Sequence, residues 1–253
     1  MKVSSGTTKP AFLRGVSVIV LLFVFGLSFG SHVFHDSAAC DRQGREPRVR
    51  ELVSFPQEKM PAVDWMRRND WEEQKGSAAP FFIEGGVLYM RSASSSTTIG
   101  SKLSPEVEPV EFPEIEFCIR VDEVPPGADV TNRNRDDAAF RLFLLFDKGG
   151  FLSLTPPHTI GYVWDTSLKT GETGRAATFG QVRYVAIGSG GEGTGEWKVI
   201  RRNVREDYKL LFGKDRVPRI KAIGLKCDSN HTRTRAASSV RFIRFVDPGG
   251  QPD

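Results

Sequence analysis

Seven residues near the middle of the chain, 115–121, alternate strictly between apolar side chains and others. The apolar residues that share one face are Ile115, Phe117, Ile119 and Val121. This period of two predicts a β-strand that is covered on one side. Residues 140–146 are instead apolar on both faces, which predicts a central strand covered on both sides. A chain with strands of these two kinds needs further layers to bury them.

Similar short patterns recur along the body of the chain. They predict seven further strands, at residues 87–91, 97–103, 160–164, 182–187, 197–201, 220–227 and 240–246. One segment has a helical period, with Val204, Tyr208 and Leu211 at i, i+4 and i+7. Gly213 follows as a residue that ends a helix. With 25 Gly and 15 Pro to form turns, we predict an all-β fold: a two-sheet antiparallel β-sandwich of jelly-roll type with one short helix.

The first 39 residues carry an export pattern. An uncharged apolar run at residues 16–29 follows Lys2, Lys9 and Arg14, as in the charged and apolar regions of a signal peptide. The run is shorter than the roughly 20 residues that span a bilayer. A cleaved signal peptide over residues 1–39 is therefore favoured, and an uncleaved N-terminal membrane anchor is the alternative. Either form predicts an N-terminal apolar helix, an exported protein in the periplasm or outside the cell, and membrane contact through this segment only.

The rest of the chain divides into three parts. Residues 40–54 are polar and predict a linker, residues 55–247 form the predicted β-sandwich domain, and residues 248–253 are a flexible tail. Half of the net charge of +4 belongs to the first 39 residues, so the body is close to neutral. A near-neutral body lacks the positive surface that nucleic-acid binding requires. No nucleic-acid partner is expected.

The three cysteines leave two redox states open. Cys40 follows two alanines, as in a lipoprotein cleavage site, but Ser37 stands where a large aliphatic residue is expected. If Cys40 is lipidated, Cys118 and Cys227 remain for a disulfide. The alternation of their strands places Cys118 on a polar face and Cys227 on an apolar face, which is the argument for two separate thiols.

Several catalytic motifs are absent or incomplete. Gly188, Gly190 and Gly193 match the letters G-x-G-x-x-G, but a predicted strand follows, so no helix N-terminus is present to hold a pyrophosphate. This run predicts a flexible hairpin loop instead. No G-x-S-x-G sequence occurs. Outside the export segment only His158 and His231 remain, which excludes a histidine-rich metal centre.

Carboxylates cluster at the predicted ends of strands. Asp136 and Asp137 precede the central strand, and Asp228 ends another strand. Oxygen ligands grouped in loops are typical of Ca²⁺ sites, so these three residues are the candidate metal ligands and Ca²⁺ is the candidate cofactor. The alternative is that they cap strand ends and pair with arginines of the same segment, Arg141 among them.

The strongest candidates for ligand binding are Tyr162, Trp164 and Asp165. An aromatic face beside a carboxylate is a common way for a β-sandwich to hold a sugar ring. Asp137 and Trp197 are further candidate contacts. The alternative for the aromatic residues is core packing, because Tyr162 and Trp164 share one face of their strand.

Four blocks occur in an order that resembles a known family: DDAAFRLFLLFD (136–147), YVWD (162–165), GEWKVIRRNVREDYKLLFG (195–213) and IGLKCDSNHT (223–232). It is family 3047, a family of exported bacterial proteins classed as a domain of unknown function. The similarity covers about residues 55–247. Where the family has D-T-D-N-T, this chain has D-S-N-H-T from Asp228, which weakens a metal site there. The resemblance implies export and a sandwich-like fold, and it supplies no activity.

Three functions fit these features. The first is a non-catalytic polysaccharide-binding module in the cell envelope, because fold and export are predicted without a nucleophile motif. The second is an envelope scaffold that binds another protein through arginine-containing faces. The third is a glycan hydrolase or lyase with two acidic residues as acid and base. The carboxylates available for it are Asp136, Asp137, Asp165 and Asp228. The binding module is the leading hypothesis.

Overall fold

The computed structural model describes residues 46–147, 156–177 and 179–249. The predictions for the export segment, for Cys40 and for most of the tail lie outside these ranges. The strands within them are β1 (Arg48–Ser54), β2 (Met60–Pro61), β3 (Glu72–Lys75), β4 (Phe82–Glu84), β5 (Val87–Ala93), β6 (Ser96–Val107), β7 (Glu114–Glu123), β8 (Ala138–Phe146), β9 (Thr159–Asp165), β10 (Thr173–Arg175), β11 (Val182–Ser189), β12 (Lys198–Asn203), β13 (Ile220–Asp228) and β14 (Arg235–Asp247). The helices are α1 (Ala62–Arg68) and α2 (Val204–Phe212).

The strands form two sheets of seven. Sheet A has the order β12-β7-β14-β5-β4-β2, and β1 pairs with the second half of β14. Sheet B has the order β10-β11-β9-β8-β13-β6-β3. The predicted all-β fold with two sheets is confirmed, and all nine strands predicted from the sequence are present.

One pair of strands departs from the antiparallel prediction. β9 and β11 run parallel, whereas the other pairs in the described residues are antiparallel. The chain leaves β9, passes through β10 at the edge of the sheet and turns back into β11. β10 is the edge strand and pairs antiparallel with β11, which lies between β10 and β9. The chain therefore reverses direction between β10 and β11, and β11 runs in the same direction as β9.

The inner faces of the two sheets make one apolar core. Phe117 of sheet A contacts Phe140 and Tyr162 of sheet B, with ring centroids 6.1 and 5.8 Å apart. All four apolar residues that the sequence assigned to one face of β7 are fully buried, which confirms that alternation. Burying a side chain of this size contributes about 1.5–3 kcal/mol.

A second apolar cluster covers part of the outer face of sheet B. Val163 and Tyr184 pack there with residues of neighbouring loops, including Val130 and Ala176. The outer residue Phe143 of β8 packs against this cluster but stays half-exposed. The prediction that β8 is covered on both sides is therefore met at its first half, and the outer face of β8 opens towards its end.

Within the described residues, the structure has one helix more than the sequence predicts there. α2 lies where it was expected: Asn203 caps its first turn, and Gly213 ends it in the left-handed conformation with φ 65°. α1 was not predicted, because seven residues are too few to show a clear helical period. It packs through Trp65 and Met66, which are both buried.

Two predicted loops have other roles. Residues 48–54 of the predicted linker form strand β1. The charged side chains of this segment concealed its strand pattern in the sequence, and one of them, Arg48, forms an ion pair with Asp247 of β14 at 2.9 Å. The glycine run at 188–195 is not a hairpin loop, because it joins β11 of sheet B to β12 of sheet A.

Cys118 and Cys227 are both buried and free, so the structure has two separate thiols and no disulfide between them. Burial raises the pKa of each thiol above its ordinary value. No helix in the described residues is long and apolar enough to cross a membrane.

The cap of α2 gives a first testable prediction. In Asn203→Ala, the backbone N–H groups of Arg205 and Glu206 lose the side-chain oxygen that accepts from them at 3.0 and 3.1 Å. The free energy of unfolding should fall by about 1 kcal/mol, measured by urea denaturation. Asn203→Asp keeps an acceptor oxygen and should stay close to the wild type. Equal stability of the Ala variant and the wild type would contradict this role.

Candidate binding groove

The two aromatic residues that the sequence favoured for sugar binding lie in the core. Tyr162 is fully buried, and its hydroxyl donates to Asp207 Oδ2 at 2.9 Å. Burial, together with the Asp207 charge, raises the pKa of Tyr162. Trp164 is 1% exposed and donates from Nε1 to the Gly190 carbonyl at 2.9 Å. Neither ring offers a face to a ligand here, so both are packed as the alternative in the sequence analysis described.

Asp165 organises the loops at the end of β9. It is 1% exposed, and its carboxylate accepts hydrogen bonds from three backbone N–H groups. The donors are Val130 at 3.2 Å, Ser167 at 2.8 Å and Leu168 at 2.6 Å. The carboxylate therefore ties the loop before β8 to the loop after β9.

Asp137 plays a similar part at the same end of the sheet, because the start of β8 lies beside the end of β9. It is fully buried and accepts from the backbone N–H groups of His231 at 3.2 Å and Thr232 at 2.6 Å. The Thr232 hydroxyl donates to the same carboxylate at 2.8 Å. Asp137 thus fixes the turn between β13 and β14 against the start of β8.

Asp136 and Asp228 surround a buried arginine. Arg141, 1% exposed, donates to Asp136 Oδ1 at 2.7 Å, and its Nη1 lies 3.6 Å from Asp228 Oδ2. Lys226 Nζ lies 2.6 Å from the same Asp228 oxygen. Burial lowers the pKa of Lys226, and the nearby Arg141 charge acts in the same direction. Asp228 Oδ1 also accepts from the Ala138 N–H at 3.0 Å.

These contacts answer the question of a metal site. Asp136, Asp137 and Asp228 lie in one region, but cations and backbone N–H groups occupy their oxygens. In the part of the chain that the structure describes, no group of three or more His, Cys, Asp or Glu side chains is arranged to hold a metal ion. The structure thus shows the capping and arginine-pairing alternative at these residues and does not assemble the Ca²⁺ ligands.

Trp197 has different surroundings from the other aromatic candidates. It immediately precedes β12 of sheet A, whereas Tyr162 and Trp164 belong to sheet B. The guanidinium groups of Arg241 and Arg120 lie 4.0 and 5.0 Å from the centre of its half-buried ring. These cations compete with a sugar for the Trp197 ring, and the rings of Tyr162 and Trp164 are buried in the core rather than open beside it.

The part of the outer face of sheet B that no described residue covers forms a groove of about 1020 Å³. Residues from six neighbouring strands line it: β3, β6, β13, β8, β9 and β11. The groove therefore runs across the strands rather than along them.

Two glycines on neighbouring strands make the floor of the groove. Gly100 pairs with Gly224, and Gly224 pairs with Phe143. A Cβ atom on Gly224 would lie 3.7 Å from the Phe143 ring. One on Gly100 would lie 2.9 Å from the Ile223 carbonyl oxygen, which is too close, and 3.5 Å from Gln74 Cγ. The two glycines therefore leave a gap between Phe143 on one side and Gln74 on the other, and neighbouring strands are about 4.8 Å apart.

The polar residues of the groove carry both signs of charge. Lys102 and Lys221 line it together with Asp70 and Glu72. Among the described residues, none of these four has an oppositely charged partner within 4.0 Å. Glu106, in contrast, is held by Arg219 at 3.1 Å. Four charged side chains are thus available to a ligand that both donates and accepts hydrogen bonds.

None of the groove residues was a candidate in the sequence analysis. A usable signal was present, because a glycine inside a predicted strand often marks a place where another group approaches closely. Gly100 and Gly224 each lie inside a predicted strand. What the sequence did not reveal is the register that places them side by side.

Residues 69–244 match the profile of a family described as "Protein of unknown function (DUF3047)". The chain belongs to this family. The matched region contains every groove residue named above, as well as the aspartates that hold the loops. No curated protein matches the chain.

Solved structures show weak similarity to this member of the family. A point mutant of the Emp46p carbohydrate recognition domain is 10% identical, with a TM-score of 0.39 over 81% of this chain and 100% of the other. A loop-swap mutant of Necallimastix patriciarum Xyn11A is 9% identical, with a TM-score of 0.32 over 71% and 92%. The family 11 carbohydrate-binding module of Clostridium thermocellum Lic26A-Cel5E is 11% identical, with a TM-score of 0.29 over 81% and 90%. At such scores the function has to be argued from the groove itself.

The hydrogen bonds of the buried aspartates predict that removing one lowers the free energy of unfolding by an amount that does not depend on Ca²⁺. Asp137→Ala leaves two backbone N–H groups and the Thr232 hydroxyl without their buried acceptor, so the free energy of unfolding should fall by about 2–4 kcal/mol in urea denaturation. As a control, Asp64→Ala removes a partly exposed aspartate of α1 and should change it by less than roughly 0.5 kcal/mol. Both results should be the same with Ca²⁺ and with EDTA. A Ca²⁺-dependent loss in Asp137→Ala alone would instead show a metal site.

Tyr184 predicts a loss of stability at high pH. Its ring is buried beside Gly161, and burial raises its pKa to about 12. The folded protein thus favours the neutral phenol, and the resulting stabilisation, complete below about pH 10, is lost as pH rises towards 12. Between pH 9 and about pH 11, the free energy of unfolding should fall by about 1 kcal/mol more in the wild type than in Tyr184→Phe. Parallel curves for the two proteins would contradict this assignment.

Proposed function

We propose that this protein is an exported, non-catalytic polysaccharide-binding module of the cell envelope, and that the groove of sheet B holds the glycan. The observation that carries the proposal is the gap over Gly100 and Gly224, bounded by the Phe143 ring and by Gln74. The apolar C–H face of a pyranose ring packs against an aromatic ring, and an amide both donates to and accepts from hydroxyl groups. The gap supplies one partner of each kind.

The charges of the groove support the same ligand class. A neutral sugar has hydroxyl groups that donate and accept, so it suits ammonium groups and carboxylates in the same groove. Lys102 and Lys221 are the donors, and Asp70 and Glu72 are the acceptors. A strongly acidic ligand would meet the two carboxylates, and a strongly basic one would meet the two lysines. A neutral polysaccharide avoids both repulsions.

The proposed location of the protein outside the cytoplasm rests on the sequence. The apolar run at 16–29 and the three basic residues before it support export, with the domain outside the cytoplasm. A module delivered there meets cell-envelope or extracellular glycans. Cleavage of the segment would release the domain, and retention would tether it.

A glycan hydrolase or lyase is a second candidate, favoured by one observation. Asp70, Glu72 and Glu106 all line the groove, and two carboxylates at one cleft are what acid–base cleavage requires. These differ from the carboxylates considered in the sequence analysis, which the structure uses to hold loops. Release of reducing ends from a bound polysaccharide, lost in Glu72→Gln, would favour this candidate over the binding module.

The first test is a thermal melt of the purified protein with soluble β-glucan, xylan, glucomannan and a bacterial exopolysaccharide. A ligand at a hundred times its dissociation constant adds about 2.7 kcal/mol to the free energy of unfolding, which raises Tm by several degrees. At least one glycan should raise Tm. No shift with any of them would count against glycan binding and favour an envelope scaffold that binds a protein.

Two variants test the groove directly. Phe143→Ala removes the aromatic wall, and Gly224→Thr places a side chain on the floor, where its Cβ atom meets the nearest atom at 3.4 Å. Thr favours strands more than Gly does, so this variant should stay folded. Both should abolish the Tm shift, whereas Ala237→Thr in β14 of sheet A should keep it. A folded Gly224→Thr protein that binds as well as the wild type would place the glycan elsewhere.

A further inference from the structure

The groove is longer than one sugar ring. Its lining extends from Glu72 of β3 to Val182 of β11. Five steps between neighbouring strands, at about 4.8 Å each, carry it roughly 24 Å across sheet B. The gap over the glycines occupies only one side of this length, between β3 and β8. The side towards β11 therefore needs its own contacts if a glycan is to fill it.

An exposed aromatic residue lies at that end of the groove. Phe179 belongs to the turn that leads into β11, and its carbonyl accepts from the Val182 N–H at 2.8 Å. In the same turn, the Gln181 carbonyl accepts from the Thr159 N–H at 3.0 Å. Val182 and Thr159 both line the groove. These two hydrogen bonds therefore fix the turn that carries Phe179 at the end of the groove.

Phe179 is more exposed than the other aromatic rings of the described residues. It is 65% exposed, and it is the only aromatic residue among the largely exposed apolar side chains of the described residues. The turn is hydrogen-bonded to β9, so the ring is carried on an anchored segment. An aromatic ring held in solvent gains stabilisation when an apolar surface covers it.

We infer that Phe179 is a second stacking platform of the groove, and that the ligand is a chain of several sugar units that reaches from the glycine gap to this ring. This inference rests on the proposed function. Monosaccharides and disaccharides would bind in the gap alone, whereas a longer chain would bind along the whole groove. Affinity should therefore rise with chain length until the glycan reaches Phe179.

The test compares chain lengths by isothermal titration calorimetry. The probes are cello-, laminari- and xylo-oligosaccharides, each from the disaccharide to the hexasaccharide. Phe179→Ala should weaken hexasaccharide binding by about fivefold to tenfold and leave disaccharide binding unchanged. Phe179→Trp keeps a platform and should retain the affinity. As a matched control, Leu210→Ala removes a similarly exposed apolar side chain from α2 and should change neither.

The outcomes separate this inference from the proposed function. Loss of binding at every length in Phe143→Ala, with no effect of Phe179→Ala at any length, would overturn the second platform and leave the groove in place. Absence of binding by all three oligosaccharide series, or full binding by Phe143→Ala, would instead overturn the proposed function. Loss confined to long chains in Phe179→Ala would establish both.

Discussion

A single buried guanidinium determines how the outer face of sheet B is built. Arg141 is 1% exposed on a strand whose other residues are apolar, and a buried charge is tolerated when it is paired and hydrogen-bonded. Asp136 and Asp228 supply the opposite charges. Since these carboxylates come from the start of β8 and the end of β13, pairing them with Arg141 brings the loops at that end of the sheet down onto its outer face. Asp137 and Asp165 then hold the loops there through backbone N–H groups.

The covered end explains why the other end is open. The second apolar cluster seals the outer face around Val163 and Tyr184, and the sheet continues beyond it without a further layer in the described residues. There the outer positions are Gly100 and Gly224, which supply no side chains to cover the sheet, and Phe143 borders them. The aspartates in the blocks that resemble the family thus shape the domain, and the groove beside them carries the chemistry available to a ligand.

Most of the fold could be predicted from the sequence, whereas the site could not. Long strands reveal themselves by their period, but β3 and β10 are short and polar or glycine-containing edge strands without one. Every residue of β9 is buried, so its pattern does not show which face meets the other sheet, and Trp164 was open to two interpretations. The groove depends on the register of Gly100 and Gly224, which are far apart in the sequence and adjacent only in the folded sheet. Pairing of that kind arises from the whole core and not from any local pattern.

In the proposed function, a glycan lies across the outer face of sheet B. A titration of the ¹⁵N-labelled protein with the best-binding soluble polysaccharide, followed through backbone amide shifts, tests this placement residue by residue. Changes are expected at Gly100, Gly224 and Phe143, in the groove, and none at Val199 on the opposite sheet. Changes centred on Trp197 and Val199, with the groove amides unmoved, would contradict it.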